Sequence, residues 1–133
     1  MVELSGTFVL DCEELDKDHR RLVEMVNEIS EMLESGETAD CQGKVLEFVS
    51  FAKGHFGREE RLLTKAGYPG ADKHRRHHRQ LDEKMQHMVK FSESAGVNEM
   101  ARESLKKELV YFLLDDVITT DLDFKAFIGG KQD

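Results

Sequence analysis

The chain has 133 residues, of which 35% are charged and 39% hydrophobic, with a single proline and a formal net charge of −8. That length suits a single domain over residues 1–133 with a sizeable core, and the acidic balance argues against nucleic acid or an anionic membrane as partner. No apolar run approaches the roughly eighteen residues that a membrane span needs, and MVELSGTFVLDCEEL lacks the basic-then-apolar order of a secretory leader, so the expected location is cytoplasmic.

The first predicted helix runs from about Glu13 to Glu34, with Leu15, His19, Leu22, Val26, Ile29 and Leu33 on one stripe. Ser35-Gly36 ends it. The second runs from about Ala39 to Ala66, with the stripe Cys41, Val45, Phe48, Ala52, His55, Glu59, Leu62 and Ala66. Gly54 and Gly57 either weaken this helix locally or permit close packing beside His55. Gly67 stops it, and Tyr68-Pro69-Gly70 makes the turn.

The third helix is expected over Ala71–Ser94, with His74, His78, Leu81, Met85 and Met88 inward, then Phe91 or Ser92. Ala95-Gly96 breaks it. The fourth runs from about Asn98 to Phe127, with Leu105, Leu109, Phe112 and Asp116 on its stripe and Leu113 beside it. Gly129-Gly130 begins a loose tail. The fold class is therefore all-α, an antiparallel up-down-up-down four-helix bundle with short loops. In that bundle Cys12 and Cys41 start successive antiparallel helices at opposite ends, so both are read as free thiols.

The chemistry lies in the histidines. Side chains four apart share a helix face, so His55 with Glu59, and His74 with His78, can each hold a metal from one helix. A single histidine on an apolar stripe, such as His19, is more often a hydrogen-bonded core residue. The shared depth of the groups points further. His19, the His55/Glu59 pair, the His74/His78 pair and the late acids Asp116 and Asp121 all fall at one end of an alternating bundle. His87 lies well off the His74 line and is expected in solvent, whereas His77 flanks the site. Nitrogen and carboxylate donors suit iron, manganese or zinc, and their number suits two metals bridged by carboxylates.

These residues resemble the hemerythrins of bacteria, from about Phe8 to Phe127. The resemblance is carried by DKDH with Leu22 and Asn27 following, HFGREE, Tyr68-Pro69 with four residues between the proline and His74, the HxxxH pair and a late Asp. It implies a non-haem di-iron site, with a bridging oxo or hydroxo group, that binds O2 or a related small ligand. It implies His19 and His55 on one iron and His74 and His78 on the other, with Glu59 and Asp121 bridging. It also implies an open position on the iron held by His19 and His55.

One stretch departs from the family's fourth helix, which reads Trp-Leu-x-x-His-Ile-x-x-x-Asp. Here FLLDDVITTD puts Phe112 in place of the tryptophan and Asp116 in place of a fifth histidine. Asp116 and Asp121 lie about 140° apart on a regular helix, so both face the metals only if the helix widens, bulges or ends. Either Asp116 is a third terminal ligand beside His74 and His78, or it falls short and water fills the gap. A swing of His77 into that place is opposed by its angle.

The expected function is O2 binding for storage, delivery or sensing, ahead of a di-iron oxidase or peroxidase-type enzyme. A redox or oxygen sensory domain with a protein partner is a third reading, and a bundle that has lost its metal a fourth.

Overall fold

The computed structural model describes residues 9–128. The expected loose tail at Gly129-Gly130, the leader reading of the first eight residues and the Phe8 end of the resemblance lie outside them. Four long helices form: α1 (Glu13–Ser35), α2 (Cys41–Ala66), α3 (Ala71–Ser94) and α4 (Glu99–Tyr111). The fourth continues as a wide, π-helical segment over Phe112–Thr119, then a 3-10 turn over Leu122–Phe124 and a last turn, α5 (Lys125–Ile128). Each long helix packs on its neighbours in the order α1, α2, α3, α4 and back to α1, giving an all-α four-helix bundle.

Local chemistry sets the ends. Glu13, Glu14 and Asp16 sit in the first turn of α1, where the helix dipole favours negative charge. Gly36 (φ 80°) and Gly67 (φ 72°) close α1 and α2 in the left-handed conformation that glycine adopts without a Cβ clash. Asn98 caps α4, its Oδ1 accepting from the Ala101 amide at 3.2 Å.

The periodicity reading holds for α1, whose whole predicted stripe is buried. In α3 the stripe ends on Ser92, with Phe91 half-buried. In α2 the inward line passes through Phe56 and Leu63, and Leu62 and Ala66 are only half-buried. Gly54 and Gly57 serve no close helix packing. A Cβ at either would meet only Arg58 or Arg61, side chains of the same helix. Cys12 and Cys41 are both buried.

The core has two parts. The larger runs along the bundle from Leu22, Phe48 and Phe56 through Leu81, Met85 and Phe112 to Ile118. The smaller, at the other end, holds Leu10, Cys12, Leu15, Leu63, Phe124 and Ile128. Between them the chain buries a polar layer. His19 falls between Leu15 and Leu22, Glu59 between Phe56 and Leu63, and Asp121 between Ile118 and Phe124. Polar side chains sandwiched this way are costly unless each is paired or bound to a metal.

Candidate metal centre

His19, His55, Glu59 and Asp121 are each 1% exposed or less, and His74 and His78 are 6% and 5% exposed. α1 supplies His19, α2 supplies His55 and Glu59 one turn apart, and α3 supplies His74 and His78 one turn apart. Asp121 comes from the residues just past the wide segment.

The two carboxylates divide their oxygens between two histidine pairs. Glu59 Oε2 lies 2.9 Å from His55 Nε2, while its Oε1 lies 3.1 Å from His74 Nε2 and 3.0 Å from His78 Nε2. Asp121 Oδ2 lies 2.9 Å from His19 Nε2 and 3.3 Å from His55 Nε2. Its Oδ1 lies 3.1 Å from His74 Nε2. Two donor sets result, each gathered within 4.8 Å: His19, His55, Glu59 and Asp121, and His74, His78, Glu59 and Asp121. All four imidazoles present Nε2 to the shared centre. Glu59 Oε2 has no hydrogen-bond partner of proper direction despite its 2.9 Å approach to His55. Without metal the histidines and carboxylates hydrogen-bond to one another in part, but the unpartnered Glu59 Oε2 faces the same centre as the four Nε2 atoms, as a metal ligand set requires. Nitrogen and carboxylate donors of this kind fit iron, manganese or zinc.

Two of the opposite ring nitrogens, on His55 and His78, are also held, whereas His19 Nδ1 is buried without a hydrogen-bond partner among the described residues. His55 Nδ1 donates to Asp18 Oδ2 at 2.9 Å, and the same oxygen accepts from Arg58 Nε at 2.7 Å. His78 Nδ1 donates to Glu60 Oε2 at 3.1 Å, and Glu60 Oε1 accepts from Arg75 Nε at 3.2 Å. Each donor set thus has one imidazole fixed by a carboxylate that is itself fixed by an arginine, an arrangement that orients metal-binding histidines and raises their basicity. Asp18 and Glu60 are not among the residues that the sequence pattern singles out. Each adjoins a donor of the cluster in the chain, in Asp18-His19 and Glu59-Glu60, but each serves a histidine on another helix, so adjacency hides the partner. Aromatic rings wall the second set. Phe56 stacks on His78 with centroids 4.1 Å apart, and Phe124 meets His74 edge-on at 5.1 Å.

Without metal, these contacts shift the protonation of the cluster. Burial pulls the His74 imidazole down, but hydrogen bonds to Asp121 and Glu59 outweigh it and the ring is pushed up to about 9. Burial likewise opposes charge on His55, yet Glu59, Asp121 and Asp18 hold it well above the ordinary value of 6.5. Burial would raise Asp121, but its hydrogen bonds with Glu59, His19, His55 and His74 keep it well below the usual carboxylate range. Asp18 is lowered too, burial being outweighed by His55 and Arg58.

Asp116 is not brought to this cluster. Its carboxylate accepts from Lys84 Nζ at 2.8 Å, and its backbone carbonyl accepts from His77 Nε2 at 2.8 Å. The reason is the register of the fourth helix. A regular α-helix continuing from Leu109 and Phe112 would turn residues 116 and 120 inward. The wide segment takes up one extra residue, so Val117 and Ile118 are buried instead, and Asp121 follows on the inward line. Thr119 Oγ1 bonds the Leu114 carbonyl at 2.6 Å and Thr120 Oγ1 bonds that of Asp115 at 3.1 Å, each reaching five residues back across the widened turn. The widening that would let both acids face the cluster brings in Asp121 alone, and Asp116, the candidate third ligand beside His74 and His78, falls outside it. His77 flanks the site and His87 is exposed, as their angles require.

The family profile described as Hemerythrin HHE cation binding domain matches residues 11–119. The match closes before Asp121, whose place in the cluster rests on geometry alone. Among curated proteins, the chain is similar to the bacteriohemerythrin of Stenotrophomonas maltophilia (strain R551-3), 27% identical over 103 residues that make up 77% of this chain and 67% of that protein. It is 26% identical to the bacteriohemerythrin of Pseudomonas aeruginosa (strain UCBPP-PA14), with the same two shares covered, 77% and 67%. The bacteriohemerythrin of Clostridium acetobutylicum is 27% identical over 116 residues, 84% of this chain and 83% of that protein.

Proposed function

The chain belongs to the hemerythrin family, and on that footing we propose that it is a non-haem di-iron protein that binds O2 for storage, delivery or sensing. The division of Glu59 and Asp121 between two histidine pairs carries this reading, because a carboxylate that offers one oxygen to each pair is built to bridge two ions. His19 and His55 would hold one iron and His74 and His78 the other. Iron bound there would supply the electrons for reversible O2 binding. Manganese and zinc suit the same donors, so the metal is part of the proposal.

The protein's own contribution is orientation and dryness. Asp18 and Glu60 fix two of the imidazoles in the tautomer that presents Nε2 to the metals. The apolar layers on either side keep bulk water from the ligands, which strengthens their hold on a cation. Among the described residues no helix is long and apolar enough to cross a membrane. A reducing, cytoplasmic setting is part of the proposal and suits the buried free thiol of Cys41.

The test is anaerobic loading with Fe(II), metal analysis, and spectra under air and then vacuum. Two irons per chain and an absorption band that appears in air and disappears under vacuum are the expected result. Rapid bleaching with peroxide turnover supports the second reading, a di-iron oxidase or peroxidase-type enzyme. That reading draws on the arrival of only two imidazoles at each donor set among the described residues.

A further inference from the structure

We propose that the metal position between His74 and His78 is open on the side of the fourth helix and takes a small monodentate anion there, because this chain supplies no ligand from residue 116. The inference rests on the di-iron reading above. An exposed lysine–aspartate pair is worth only about 0–1 kcal/mol, so Lys84 by itself could not keep a carboxylate from a nearby dication. The backbone does so. The wide turn moves the inward line from residue 116 to Val117, and His77 pins the Asp116 carbonyl to α3. Lys84 then takes up the carboxylate that the register has already turned aside.

The consequence is a matched pair of positions. Each receives two imidazole nitrogens and one oxygen from each of Glu59 and Asp121. Iron and cobalt readily take more donors than that, as sites of few histidines and carboxylates with open positions do. Charge selects the class of added ligand. Two divalent ions carry four positive charges and the bridging carboxylates return two, leaving an excess that favours an anion in a poorly solvated layer. The flanking acids do not remove that excess, because Asp18 is paired with Arg58 and Glu60 with Arg75.

The test uses the full chain loaded with cobalt(II), whose visible spectrum reports coordination without redox change, titrated with sodium azide. Two azides per chain are expected, and Asp116→Ala should keep both the azide count and the affinity for each cobalt. Asp116→Asn, which retains the size of the side chain, should behave the same way. A single azide per chain overturns the inference, as does a roughly tenfold or greater loss of affinity for one cobalt in either variant. A chain that takes up fewer than two cobalt ions fails the di-iron reading itself. One that takes up two but fails on azide or on Asp116 fails only this inference.

Discussion

Replacing Asp18 by asparagine should weaken one metal and leave the other nearly untouched. Asp18 Oδ2 accepts from His55 Nδ1 at 2.9 Å and from Arg58 Nε at 2.7 Å, and the residue is 8% exposed. A hydrogen bond to a charged group contributes about 1.5–3 kcal/mol, whereas a neutral one contributes about 0.5–1.5. Asparagine keeps an acceptor of similar size but loses the charge, a difference of about 1–1.5 kcal/mol, or roughly tenfold in binding. That falls at the lower end of the 10–100-fold effects seen when partners of metal-binding histidines are removed. The effect should fall on the ion held by His19 and His55. Glu60→Gln should do the same to the ion held by His74 and His78, since Glu60 serves His78. Calorimetric titration of the metal-free chain with zinc, resolved into two steps, measures both. If Asp18→Asn weakens both steps equally, or neither, the carboxylate is not acting through His55 and the assignment of one relay to each metal fails.

Chelation should lower the melting temperature by ~20 °C relative to a sample with both metal sites at a hundredfold excess over their Kd, from the linkage and size relations for a chain of this length; an unchanged melt in a verified apo sample opposes a metal role in folding. In the metal-free chain, His74 at about 9 and His55 well above 6.5 contribute stability that is fully present below pH 6.5 and is lost as the pH rises through their folded values. The apo melting temperature should therefore fall between pH 6 and pH 9, while the metal-loaded chain, in which protons compete with the ion, should not follow it; equal apo melts at the two pH values would refute this. Deleting the exposed Asp115 should remove the extra residue of the wide segment and keep Asp121 inward, so the chain should still take two metals. Inserting an alanine after Asp115 should turn Asp121 away by about 100° and reduce the metal count. A deletion as damaging as the insertion would show that the widened turn is not a one-residue accommodation.

Much of the site was legible because its parts are local. His55 with Glu59, and His74 with His78, share a face through nothing but helical spacing, and the apolar residues around them declare which face is inward. Alternation of four helices then sets His19, both pairs and the end of the fourth helix at one depth. Two features resisted that reasoning. Asp18 and Glu60 look like charges on a solvated helix, and only the approach of α2 to α1 and of α3 to α2 makes them the anchors of His55 and His78.

The fourth helix shows the boundary most clearly. Its sequence offers two acids at a spacing that no regular helix can turn to one point, and spacing alone leaves the choice between them open. By itself the sequence determined the bundle, the depth of the polar layer, and the five donor residues that the first three helices carry into it. The choice of Asp121 over Asp116 belonged to tertiary structure. Packing buried Val117 and Ile118, α3 offered Lys84 and His77 to the displaced residue, and the backbone widened to satisfy both. A helix's period is written in its own residues, but a departure from that period is stabilised by what the neighbouring helices bring to it.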